Sequence, residues 1–131
     1  MKGKIRIGER MKYSFEVTSE SFPIFDSSVV HEVCSTYYLA KEFEWSSRLQ
    51  ILEVLEDDEE GIGTMIHIDH HSPAINGQRV DIVSEVIAFE RNEMTCSVIA
   101  TVGDQMIAKG KTGQKIVKKE KLIRLFSSLG Q

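Results

Sequence analysis

Three side chains in this sequence have types and positions that could carry acyl or proton transfer: Thr36, Glu44 and His70. Glu44 lies between Phe43 and Trp45 in a segment whose composition predicts burial, where a carboxylate is costly unless it is paired or used. Its ordinary role would be an i,i+4 helix pair with Arg48. Thr36 stands just before a helical segment, where an N-cap is the ordinary role. Its functional role would be to present a hydroxyl where helix N–H groups already favour developing negative charge. His70 shares the period-two face of Ile62, Thr64, Ile66 and Ile68, which turns it toward the core as a hydrogen-bonded structural imidazole or as a base. His67, Asp69 and His71 surround it and look like a ligand set. Strand alternation points His67 and His71 away from His70, so no metal is expected. No GxSxG, Walker loop, GxGxxG after a strand or HExxH occurs, and mechanisms that need them lack support.

The elements that must position these residues follow from periodicity. Tyr13, Phe15 and Val17 alternate in an opening strand from Met11 to Val17. Residues 18–29, rich in Ser with Phe22, Pro23 and Phe25, read as a loop with aromatic anchors, of the kind that lies over a cleft as a lid. Tyr37 to about Leu55 contains no Gly or Pro and predicts one long helix. Its apolar residues wrap more than one stripe, so burial on several sides is expected, with Thr36 as N-cap and Asp57–Glu60 then Gly61 closing the far end. Beyond Gly61 the period becomes two. Strands are expected over Ile62–His71, Val80–Phe89, Met94–Val102 and Met106–Val117, with turns at Asn76-Gly77, Arg91-Asn92 and Gly103-Asp104. Lys119–Leu129 predicts a short helix packing Leu122, Leu125 and Phe126. The order implies an α+β protein, a single domain over 1–131 in which a strongly curved antiparallel sheet wraps one long central helix, the hot-dog arrangement.

Composition bounds the rest. With 131 residues, 41% hydrophobic and 27% charged, the chain has ordinary globular usage, which excludes disordered and low-complexity classes. No apolar run approaches the ~20 residues of a membrane span, and the start lacks a signal peptide's apolar stretch, so a soluble cytoplasmic protein is expected. Cys34 and Cys96 lack metal or disulfide-scaffold spacing and read as buried thiols. The net charge of -4 argues against a nucleic-acid partner. Lys109, Lys111, Lys115, Lys118, Lys119, Lys121 and Arg124 nevertheless cluster toward the C-terminus; they read first as a solvated face, and alternatively as a dock for a phosphate-bearing ligand.

The stretch Val33-Cys34-Ser35-Thr36, then Glu44-Trp45, Gly63-Thr64 and His70 seven residues after Gly63, resembles the fluoroacetyl-CoA thioesterase family of hot-dog proteins. Arg6–Arg10 and Gly110–Val117 match that family's opening and last long strand, so the resemblance covers nearly the whole chain. It implies a thioester hydrolase acting on a small acyl-CoA, with Thr36, Glu44 and His70 catalytic and Gly63 near the thioester. The Glu would attack the carbonyl or activate water, the His would act as base and orienter, and the Thr hydroxyl would assist. Coenzyme A enters as part of the substrate, and no cofactor is implied. An ungapped count sets Val30 where the fluoroacetyl-specific pattern has a lid aromatic, and Gln114 where it has an Arg. The resemblance therefore implies some acyl-CoA rather than that one. Hot-dog subunits commonly pair sheet edge to sheet edge, so a homodimer is expected. A regular helix separates Thr36 and Glu44 by ~12 Å, which leaves an irregular first turn or a site drawn from two subunits. A hydratase on the same fold ranks lower, for want of an Asp-His pair. A non-catalytic acyl-CoA binding module, with Glu44 paired to Arg48 and His70 structural, is the alternative of another class.

Overall fold

The computed structural model describes residues 1–130. The chain runs β1 (Arg10–Glu16), β2 (Ile24–Phe25), β3 (Ser28–Val29), α1 (Thr36–Leu52), β4 (Glu59–His70), β5 (Arg79–Glu90), β6 (Glu93–Val102), β7 (Gln105–Lys118) and α2 (Lys119–Leu129). The five long strands form one antiparallel sheet in the order β1-β5-β6-β7-β4, while β2 and β3 make a small separate hairpin. Helix α1 touches all five strands of the large sheet. A flat sheet five strands wide spans ~19 Å between its outer strands, more than the ~10 Å width of a helix, so the sheet must curve around α1. This is the hot-dog arrangement expected from the periodicity.

Alternation makes the central strands. Val80, Ile82, Ser84 and Val86 of β5 and Met94, Cys96, Val98 and Ala100 of β6 face inward and are buried. Arg91 and Asn92 join them with φ of 53° and 63°, the left-handed pair that matches strand twist in a two-residue hairpin. Strands β4 and β5 do not pair, although they are sequence neighbours: β4 lies beside β7 at one edge and β5 lies beside β1. The Asn76-Gly77 turn, with Gly77 at φ 87°, therefore ends a crossing loop instead of closing a hairpin.

Three expectations change. The helix begins at Thr36, the residue expected to cap it, and ends at Leu52. Ser35, not Thr36, is the N-cap, its side chain accepting from the Tyr38 N–H at 3.1 Å. The helix is also not buried on several sides: Tyr37, Trp45 and Leu52 lie exposed on its outward face. Its inward face combines Leu39, Phe43 and Ile51 with Ser46, Ser47 and Gln50. Those hydroxyls donate to the Phe43 carbonyl at 2.9 and 3.0 Å, and Gln50 reaches the Ser84 carbonyl at 3.1 Å. Satisfying them avoids the ~1–3 kcal/mol of an orphaned buried polar group. Finally, α2 forms over the residues expected but does not bury its apolar side. Phe126 and Leu125 are exposed and Leu122 is only half-buried, because the helix leaves the sheet at the end of β7. Cys34 and Cys96 are free and buried, with burial pushing their thiols up to about 12 and about 11, so neither is a ready nucleophile.

One local feature of β4 governs the site. Its register against β7 shifts between Gly63 and Met65, a β-bulge that leaves Thr64 unpaired. Ahead of the bulge Gly61 and Gly63 stand opposite Ile116 and Gln114; after it Ile66, Ile68 and His70 stand opposite Thr112, Gly110 and Ala108. All these β7 partners lie on its inward-facing set. The uniform alternation expected from Ile62 to His70 is thus broken: Ile62, opposite Lys115, faces away from α1, and Gly63 faces toward it. Seven residues of regular strand would set Gly63 and His70 on opposite faces. The bulge sets both on the face that meets α1.

Candidate active site

Because Ser35 caps α1, the Thr36 hydroxyl is free. Thr36 Oγ1 lies 2.9 Å from His70 Nδ1. The His70 ring is half-buried beneath the helix N-terminus, and its Nε2 is buried without a hydrogen-bond partner among the described residues. The imidazole tautomer sets the direction of the contact, the Thr36 hydroxyl donating to Nδ1 when the ring proton is on Nε2. Burial holds His70 below its ordinary pKa, with neighbouring His71 lowering it further and the Ser72 carbonyl opposing. The imidazole is therefore neutral near pH 7 and able to accept a proton. Ser35 occupies only the Tyr38 N–H, which leaves the Thr36 and Tyr37 N–H groups of the first turn unspent within the helix. A cavity of about 230 Å³ lined by Pro23, Phe25, His31, Thr36, Tyr37 and His70, among others, opens over this pair.

Glu44 is elsewhere. It is exposed, two turns along α1, and it opens onto a second cavity of about 380 Å³ lined by Gly63, Thr64, Met65 and Ile66. Arg48 does not pair with it: its guanidinium donates to the Gly61 carbonyl at 3.0 Å and to Glu60 at 3.1 Å. Among the described residues no ion pair engages Glu44. The helix-pair role considered from sequence is thus removed. A Cβ at Gly63 would overlap Glu44 Oε1, so the glycine is what lets the carboxylate lie against β4. Gln114, opposite Gly63, holds the Glu44 carbonyl at 3.0 Å. Gly63→Ala should displace only the tip of a flexible side chain. The expected result is a melting temperature within a few degrees of wild type and, for the thioester hydrolysis expected from the sequence, kcat/KM down about 100-fold, read by calorimetry and thiol release.

The structure brings Thr36 together with His70, and Glu44 together with Gly63, but it keeps the two pairs in separate cavities. His67 instead meets Asp69 at 3.0 Å, both exposed.

Two residues escaped the sequence reading. The buried carboxylate of α1 is Glu42, not Glu44; it is 5% exposed, with Oε2 lacking a hydrogen-bond partner among the described residues. It lies beside Tyr13 and Tyr38 and helps raise both phenols, Tyr38 to about 12, with burial the larger cause. Helical phase could have separated Glu42 from Glu44, since Glu42 lies three residues after Leu39 and four before Ser46. The other is Tyr37. Its hydroxyl donates to the Phe22 carbonyl at 3.1 Å and accepts from the Ile24 N–H at 2.9 Å, while its ring meets Phe25 edge-on at 5.8 Å. It pins the β2–β3 hairpin over the Thr36–His70 cavity, the position foreseen for a lid. Tyr37→Phe keeps the ring and loses both hydrogen bonds. For the acyl-CoA substrate expected from the sequence, KM should rise roughly threefold to tenfold with kcat changed less, as measured by steady-state kinetics.

Comparison with known proteins now bears on this geometry. The family model described as fluoroacetyl-CoA-specific thioesterase (FlK) matches residues 17–120. No relative is found among curated proteins. A thioesterase superfamily member from Thermus thermophilus superposes with a TM-score of 0.92 at 33% identity, covering 97% of this chain and 94% of its own. The fluoroacetyl-CoA thioesterase FlK superposes with a TM-score of 0.88 at 22% identity, covering 96% and 98%. A hot-dog-like protein from Thermanaerovibrio acidaminovorans does so at 0.87 and 18% identity, covering 95% and 93%. FlK variants have been crystallised with acetyl-CoA and with fluoroacetate and CoA. The chain is a hot-dog thioester hydrolase and belongs to the fluoroacetyl-CoA-specific thioesterase family.

Proposed function

We propose that the protein hydrolyses a small acyl-CoA to the free acid and coenzyme A, and that its catalytic set is divided between two copies of the chain. The observation that carries this reading is the Thr36–His70 contact at 2.9 Å at the mouth of a 230 Å³ cavity. A neutral base, a hydroxyl and two unspent helix N–H groups converge there, as acyl transfer through an oxyanion requires. The size of the cavity favours an acyl group of a few carbons. Val30 and Gln114, which depart from the fluoroacetyl-specific pattern, argue against fluoroacetate as the particular substrate. The C-terminal lysines offer charge for the coenzyme A phosphates.

Glu44 is the nucleophile or the base that activates water, and it cannot act at its own chain's His70. About 20 Å of strand separates Gly63 from His70. The outer edge of β4 is unpaired, and Met65 and Ile66 on it, with Trp45 on the outward face of α1, are exposed. Antiparallel pairing of this edge with that of a second copy, centred on His67 and with Thr64 bulged out of register as it is against β7, sets Gly63 of each chain opposite His70 of the other. The pairing also hides an exposed strand edge. Each Glu44 then meets the Thr36–His70 pair of its partner in a cytoplasmic homodimer.

Thiol release from a panel of short, branched, aromatic and dicarboxylic acyl-CoAs tests the activity. Cleavage of a short member by wild type supports it, and coenzyme A ester binding without cleavage would leave a binding module. With His70 as base, kcat/KM should level off toward high pH and fall tenfold per unit below a midpoint under 6.5. Only the neutral imidazole accepts the proton, and its folded pKa is depressed. His71→Gln removes one lowering charge and should move the midpoint upward.

A further inference from the structure

The apolar face of α2 has no cover within the chain: Ile123, Leu125, Phe126 and Leu129 are 64, 49, 61 and 73% exposed. A second uncovered apolar patch lies on the β2–β3 hairpin, where Ile24, Phe25, Val29 and Val30 are 46 to 60% exposed. They lie at opposite ends of the molecule. Helix α2 starts where Lys118 stands opposite Glu59, at the beginning of β4. The hairpin covers the cavity that holds His70, at the end of β4. Those ends are roughly 35 Å apart along the strand, and an eleven-residue helix reaches only ~16 Å. Neither patch can cover the other in one chain.

Edge pairing of β4 reverses this. With two antiparallel β4 strands centred on His67, Thr64 bulged as it is against β7, Glu59 of one copy lies past the end of the other's β4 at His70, toward Ile75. Val33, at the base of the partner's hairpin, is bridged to that Ile75, and Ile75 is itself 53% exposed. Charge fits as well. Helix α2 carries Lys119, Lys121 and Arg124 against one acid, Glu120, whereas residues 18–32 carry Glu20, Asp26 and Glu32 and no Lys or Arg. The family match ends at residue 120, so the apolar face of α2 lies outside the shared pattern.

We infer that α2 of each subunit packs its apolar face against the β2–β3 hairpin of a second copy, and so forms the outer wall of the partner's Thr36–His70 cavity. The inference rests on the edge-paired dimer proposed above and adds to it a second, reciprocal contact, one that closes the hairpin from outside while Tyr37 pins it from within. An amphipathic basic helix can also lie on an anionic membrane. The complementary acidic and apolar hairpin favours the second copy.

The test is disulfide trapping in the full-length Phe25→Cys/Phe126→Cys protein, alongside each single variant and with size-exclusion chromatography of all three. The native thiols are buried. The expected result is a dimer on the column, with most of the double variant cross-linked after mild oxidation and each single variant largely uncross-linked. In Phe126→Asp the protein should stay dimeric while the Ile24–Val30 amides exchange at least about tenfold faster. A dimer without trapping and with unchanged exchange overturns the α2 contact and leaves the β4 pairing standing. A monomer on the column removes both. Sedimentation of α2 with phosphatidylglycerol vesicles, lost in Phe126→Asp and unaccompanied by trapping, would assign the face to lipid and overturn the inference.

Discussion

Glu44→Ala and His70→Ala proteins, each reduced about 1,000-fold in turnover, should recover roughly a quarter of wild-type activity when refolded together. The arithmetic follows from the division of the site. Random association makes half of the dimers mixed. In a mixed dimer, the chain lacking Glu44 supplies an intact Thr36–His70 pair and the chain lacking His70 supplies an intact Glu44, so one of the two sites is complete. A site contained within one chain gives no recovery, because every chain then lacks one member. Thiol release from the short acyl-CoA that wild type cleaves best is the measurement, with mixed-dimer formation checked by tagging one variant. Mixed dimers without activity would place Glu44 and His70 in one chain's site and refute the divided arrangement.

Deleting Thr64 should cost little, leaving kcat/KM within about tenfold of wild type, and Thr64→Ala should stay within about threefold. The bulge shifts the β4 register between Gly63 and Met65. Without that extra residue the strand alternates regularly, Gly63 and His70 stand six positions apart, and both keep facing α1. Thr64→Ala keeps the residue count and hence the bulge, so it separates register from the hydroxyl. Both variants would be read by thiol release and by thermal unfolding. A folded deletion variant that loses turnover by orders of magnitude would show that the bulge does more for catalysis than set the facing of Gly63 and His70.

Both predictions turn on things that side-chain patterning does not report. Period-two alternation identified β5, β6 and β7, and the absence of Gly and Pro identified α1, because one face of each long element must be buried wherever the chain folds. The need to cover a central helix then left a curved antiparallel sheet as the natural solution. Thr36, Glu44 and His70 could be singled out as candidates from their types and positions, while their grouping with Gly63 rests on the family resemblance. What they do to one another was not legible. That Ser35 rather than Thr36 caps the helix depends on the backbone at residue 35, φ −71° and ψ 157°, and both residue types make good caps. That Glu42 is buried and Glu44 exposed is decided by the rotation of α1 against the sheet. The sequence alone determined the elements and the curved sheet around one helix, and offered candidate residues for the chemistry, since burial patterns are local and repeat along the chain. Only the tertiary structure decided which of those residues meet, because one unpaired residue in β4 and the roll of a helix change facing without changing any periodicity long enough to read.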